Sequence, residues 1–149
     1  MDLFGTAGIR GSARDRVTPE LALAVGRAAG RRADPDAFVV GRDGRETGDA
    51  LEAAMVAGLE SAGADVRVAG RVPTPALAWA SRGRHGVMLT ASHNPPADNG
   101  IKLFADGVEY GDDAEAAIES GVAADEGPVA WDAWGARERI DVIDDYRTA

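Results

Sequence analysis

A serine and a histidine stand side by side in Thr90-Ala91-Ser92-His93-Asn94-Pro95-Pro96-Ala97-Asp98-Asn99-Gly100-Ile101-Lys102. Small and polar neighbours leave the Ser92 hydroxyl accessible. Two adjacent prolines stiffen the segment and limit the conformations it must give up on ordering. His93 and Lys102 can supply positive charge or move a proton. Lys102 is the only lysine in a chain whose other basic side chains are arginines. Lysine suits acid/base work because its pKa can be lowered, whereas arginine stays charged. From the residues alone, the same stretch also reads as a polar loop built of turn residues.

Strands and helices alternate around this loop. Thr18-Pro19 offers an N-cap and a proline at the first helical position. Leu21, Ala24, Val25 and Ala28 then share one face. Ala37-Phe38-Val39-Val40 is a short apolar strand, and Gly41-Arg42-Asp43-Gly44-Arg45 is the turn after it. A helix over 48–62 places Leu51, Met55 and Leu59 at i, i+4 and i+8, with Gly63 as its stop. Asp65–Val72 alternates as a strand, and Thr74-Pro75 opens a third helix. Gly86–Thr90 and Gly100–Phe104 are two further strands, and Asp112–Val122 a fourth helix. Ile140–Tyr146 fits a closing helix or a linker.

These elements predict an α/β domain: a three-layer α/β/α sandwich with a mixed, mostly parallel, four-stranded sheet. The connection from the Val87 strand to the Ile101 strand is only about ten residues, too short for a helical crossover, so that pair is expected to be antiparallel. Ser92 then leaves the end of a buried strand, where open α/β sheets place ligands. Trp79, Trp131 and Trp134 are read as core or interface residues. Arg42 is read as structural. Arg45 could neighbour a bound ligand or pair with Asp43 and Glu46.

Composition excludes several functions. The chain has 149 residues, enough for one domain with a real core. Its formal charge of −9 disfavours nucleic acid and anionic membranes as partners. With no cysteine, a thiolate metal site or cysteine nucleophile is ruled out, and His85 and His93 are too few for a histidine-rich metal site. The start Met1–Thr6 lacks the basic and apolar stretches of a secretion signal, so a cytoplasmic location is expected. The wealth of Ala, Gly, Arg and Asp fits a salt-adapted archaeon and a GC-rich genome equally.

The segment TASHNPPADNGIK closely resembles the active-site loop of the α-D-phosphohexomutases. These are the phosphomannomutases, phosphoglucomutases and phosphoglucosamine mutases. FGTAGIRG resembles the opening motif of that family, and GRDGR and VPTPAL follow in its order and spacing. The resemblance covers nearly the whole chain. It implies that Ser92 is phosphorylated in the resting enzyme and that its phosphate is one ligand of Mg²⁺. It implies that Lys102 is a general acid/base, that His93 assists in proton transfer or phosphate contact, and that Arg10 contacts the phosphoryl group. It further implies interconversion of hexose 1- and 6-phosphates through a bisphosphate, with mannose or glucose as the sugar and glucosamine as the alternative.

Family members have four domains, and residues 1–149 match the first. A DGDGDR-like metal loop is absent, and the pairs Asp112-Asp113 and Asp144-Asp145 do not resemble it. The sugar-selecting and phosphate-binding loops of the later domains have no counterpart. The chain is therefore expected to be a fragment, inactive alone, whose partners are a phosphohexose and domains II–IV. The competing expectation is a stand-alone regulatory or binding module phosphorylated at Ser92.

Overall fold

The computed structural model describes residues 2–148. Thirteen elements follow in chain order: β1 (Ile9–Ser12), α1 (Pro19–Arg32), β2 (Ala37–Arg42), α2 (Gly48–Ser61), β3 (Asp65–Arg71), α3 (Thr74–Ala80), β4 (His85–Leu89), β5 (Asp98–Ala105), β6 (Val108–Glu109), α4 (Asp112–Ala123), a 3₁₀ turn (Trp131–Ala133), β7 (Arg137–Arg139) and α5 (Val142–Thr148). Among the described residues, no helix is long and apolar enough to cross a membrane.

The sheet has seven strands, in the order β1-β5-β4-β2-β3-β7, with β6 paired to β5. The expected four strands are its centre. The three additional strands are short and lack the apolar runs that mark a strand in sequence. Pairings among β4, β2, β3 and β7 are parallel. Those of β5 with β1, β4 and β6 are antiparallel, and for β4 and β5 the short connection requires it. The sheet is thus mixed.

Helices α1, α2 and α4 cover one face, where Phe38, Val40, Leu51, Met55, Leu59, Val87, Leu89, Ile101, Leu103 and Ile118 form the larger core cluster. Helices α3 and α5 cover the other, over Val39, Val72, Leu77, Met88 and Phe104. Alternate residues of each strand feed the two clusters, as the two-residue period of a doubly covered sheet demands.

Thr18 caps α1 by accepting a hydrogen bond from the Leu21 N–H at 3.1 Å. The buried stripe of α1 is Ala22, Val25, Gly26, Ala28, Ala29 and Gly30, while Leu21 and Ala24 are only half-buried. The stripe is rotated from the expected one because α1 packs on α2 through its glycines. A methyl built on Gly26 would stand 2.7 Å from the Met55 carbonyl oxygen. Helix α2 buries Leu51, Met55 and Leu59 as expected, and Gly63 follows it at φ 98°.

The tryptophans divide between a packed Trp79 and two exposed rings. Trp131 is 87% exposed and Trp134 52%, so neither belongs to the core. Trp79 is half-buried on α3, edge-on to Tyr146 at 5.7 Å between ring centroids, with the Arg82 guanidinium 4.6 Å from its ring. This contact docks α5 on α3, so the segment after residue 140 closes the domain as a helix.

Candidate active site

Strand β4 is buried along Gly86–Leu89 and delivers the chain to the carboxyl end of the sheet. The Thr90 N–H still pairs with the Gly100 carbonyl at 3.0 Å, after which the two segments part into the loop 91–97. Ser92 lies at the turn of this loop, exposed, with φ 53°. That left-handed backbone is uncommon for serine and has to be held by its surroundings. His93 follows it and is also exposed.

The holding groups come from three segments. The Ser92 N–H donates to Thr90 Oγ1 at 3.1 Å, and the Thr90 hydroxyl donates to Asp43 Oδ2 at 2.6 Å. The Arg45 guanidinium reaches across from the turn after β2 and donates to the carbonyls of Ser92, Asn94, Pro95 and Asp98. Within the loop, the Asn94 amide donates to Asp98 Oδ2 at 3.2 Å. At its exit the Asn99 amide donates to Thr47 Oγ1 at 2.9 Å, beside the start of α2.

Two basic side chains flank this loop. Arg10 of β1 stands opposite Gly100 of β5, and Lys102 of β5 stands opposite Met88 of β4. Opposed residues and residues two apart share a face, so Arg10 and Lys102 project on the α3 side of the sheet. Both are half-buried, and the ion pairs among the described residues involve neither. The turn 6–8 lies beside both. Arg10 Nε donates to the Ala7 carbonyl at 3.2 Å, and a methyl on Gly8 would stand 3.0 Å from Lys102 Cγ. The structure thus places Arg10 and Lys102 on one face of the sheet, on β1 and β5, and Ser92 and His93 in the loop that joins β4 to β5.

Arg42 is bound to α2, with Nη2 2.7 Å from Asp49 Oδ1 and Nε 3.3 Å from Glu52 Oε2. Desolvation holds the Glu52 carboxyl above its ordinary range, against the pull of that arginine. This pair is structural, as expected for Arg42. Arg45 turns out to be the anchor of the serine loop. The GRDGR turn marks its location, but its partners lie 47 to 53 residues away and leave no local pattern. The roles of Asp43 and Thr90 went unread for the same reason.

Among the described residues, no group of three or more His, Asp or Glu side chains could hold a metal ion. The carboxylates nearest Ser92 in the network, Asp43 and Asp98, are engaged with Thr90, Arg45 and Asn94. These residues alone do not form a Mg²⁺ site, because that ion relies on carboxylates and phosphates.

The fold and the loop together define a three-layer α/β/α domain that presents one serine-bearing arch at the carboxyl end of its central strands. Residues 1–128 match the family model described as phosphoglucomutase/phosphomannomutase, alpha/beta/alpha domain I, and the chain belongs to that family. It is 47% identical over 153 residues to a phosphopentomutase of Thermococcus kodakarensis, covering 100% of this chain and 34% of that protein. It is 51% identical over 140 residues to a phosphoglucosamine mutase of Salinispora arenicola, covering 87% of this chain and 31% of that one. Among solved structures, a phosphoglucomutase/phosphomannomutase family protein from Burkholderia thailandensis superimposes with a TM-score of 0.83 at 34% identity, over 97% of this chain and 34% of that one. The chain spans about a third of the length of the curated relatives it matches.

Proposed function

We propose that this chain is the phosphoserine-bearing first domain of a four-domain phosphosugar mutase, and that Ser92 carries the transferred phosphate. The observation that carries the reading is the exposed Ser92, held in left-handed backbone on a braced loop, with Arg10 and Lys102 on the adjoining face. Phosphoryl transfer needs positioning and cations more than covalent help. A phosphoserine adds roughly two negative charges. On a chain of net charge −9 that group requires local cations, and in this reading Arg10, Lys102 and His93 supply them.

In the proposed reaction a sugar hydroxyl attacks phosphorus. The new P–O bond forms as the bond from phosphorus to Ser92 Oγ breaks. Lys102 takes the proton of the attacking hydroxyl, and the departing Ser92 oxygen is protonated with help from His93. Arg10 neutralises charge on the equatorial oxygens. The bisphosphate then returns its other phosphate to Ser92 by the reverse of these steps, which interconverts the 1- and 6-phosphates of a hexose. Mg²⁺ belongs to this reading as an ion held by the Ser92 phosphate together with ligands from outside these residues.

The sugar is chosen by groups that these residues do not include. The candidates are mannose, glucose and glucosamine phosphates, to which the name of the Thermococcus relative adds a pentose phosphate. The test assays the protein at its natural full length against these four substrates. Intact mass is measured before and after incubation with the matching bisphosphate. One added phosphate, mapped to Ser92 and turned over by a monophosphate, is expected. Turnover with no phosphate ever found on Ser92 would reject the reading.

A further inference from the structure

The turn after β2 takes no part in the proposed chemistry, yet it is densely tied to the reactive loop. An arginine side chain carries five N–H donors in a rigid planar fork. Arg45 uses every one. Its Nε donates to Asp43 Oδ2 at 3.3 Å. Its Nη1 donates to the carbonyls of Pro95 at 2.7 Å and Asp98 at 3.1 Å. Its Nη2 donates to those of Ser92 at 2.8 Å and Asn94 at 3.0 Å.

Asp43 closes the circuit on the other side of the serine. Its Oδ1 accepts the Arg45 N–H at 3.2 Å, and its Oδ2 accepts the Thr90 hydroxyl. Thr90 Oγ1 in turn accepts the Ser92 N–H. Both polar groups of the Ser92 backbone are therefore held by one network rooted in residues 43 and 45.

We infer that Arg45 is a positioning residue for phosphoryl transfer at Ser92: it fixes the left-handed backbone that aims the hydroxyl, and it is not a ligand of the phosphate. This rests on the reading in which Ser92 carries the phosphate. Two observations support it. The backbone at φ 53° is unfavourable for serine and relaxes unless both neighbouring peptides are held. All five donors are also satisfied by protein acceptors, so a phosphate oxygen could recruit Arg45 only by breaking the loop that carries it. Lysine cannot replace the fork, because three donors on one nitrogen cannot span four carbonyls and a carboxylate.

The experiment compares Arg45→Lys with the wild type at natural full length. The expected result is a fall in kcat of about 100-fold, the scale of a 1 Å misplacement. The KM should stay within about twofold, and the ³¹P resonance of phosphorylated Ser92 should be displaced. Thr90→Val breaks the other arm and is expected to lower kcat in the same sense, and Thr90→Ser, which keeps the hydroxyl, to restore it. Wild-type kcat in Arg45→Lys with only a lowered melting temperature would overturn the inference. So would a raised KM at unchanged kcat, which marks a ligand. If Arg45→Lys fails to fold, the Thr90 pair decides: equal kcat for Val and Ser overturns it. Full activity in Ser92→Ala instead rejects the parent reading. An inactive Ser92→Ala beside a fully active Arg45→Lys rejects this inference alone.

Discussion

Gly100 lies directly against Thr90. A methyl carbon built on Gly100 would overlap the Thr90 carbonyl oxygen and stand 2.7 Å from that of Ile9. Both are backbone atoms of neighbouring strands and cannot swing aside. Gly100→Ala is therefore expected to push β5 away from β1 and from the end of β4 at the base of the serine loop, lowering stability by roughly 1–3 kcal/mol, as overpacking does. Chemical denaturation measures this. An unchanged midpoint would show that the strands separate at no cost.

Ser92→Ala tests the phosphate carrier. The side chain is exposed, so stability should stay within about 0.5 kcal/mol of wild type. Mutase turnover of the natural full-length protein should fall by about 10³-fold or more, since no other group takes over the carrier. Steady-state kinetics and thermal melts of one preparation check both parts.

Lys102→Arg keeps the charge and removes a group that can release its proton. A loss of kcat of about 10²–10⁴ is expected, the range of general acid–base catalysis. The stem of residue 102 runs against Gly8, so Gly8→Ala should also disturb it. A kcat in Lys102→Arg equal to wild type would leave lysine only an electrostatic role.

Tyr110 gives a prediction for stability at high pH. Its hydroxyl lies 2.7 Å from His85 Nδ1, and burial pushes its pKa up to about 12 from 10.0. The folded state then keeps a proton that the unfolded state loses first. This contribution is complete below pH 10 and is lost as pH rises from 10 to 12. Two units correspond to about 2.7 kcal/mol. Tyr110→Phe should remove this part of the alkaline destabilisation, and urea titrations at pH 9 and pH 11.5 would show it. Parallel pH curves for the two proteins would assign the effect elsewhere.

What the sequence disclosed follows from how each feature is encoded. Strands β2, β3, β4 and β5 carry apolar or alternating runs, and α2 carries Leu51, Met55 and Leu59 on one stripe, so both periods were readable. Strand β7 is Arg137-Glu138-Arg139, fully exposed and joined to β3 by backbone pairing and the Arg67–Glu138 ion pair, and no hydrophobic signal could announce it. Trp131 was left between core and interface because an aromatic ring serves in both, and its ring is exposed in this domain. The loop around Ser92 was legible as a contiguous motif. Its brace was not, because Arg45 bonds carbonyls, which every residue possesses.

The antiparallel return of β5 has a mechanical consequence. In an all-parallel sheet, a segment leaving β4 would wander through a helix before coming back, and Ser92 would hang from a single strand. Here the chain re-enters the sheet at Asp98, next to the strand it left. The arch therefore has two feet on adjacent central strands, like a bridge with both abutments on bedrock. The position of the hydroxyl is set from both sides, and a force on the loop is shared between β4 and β5.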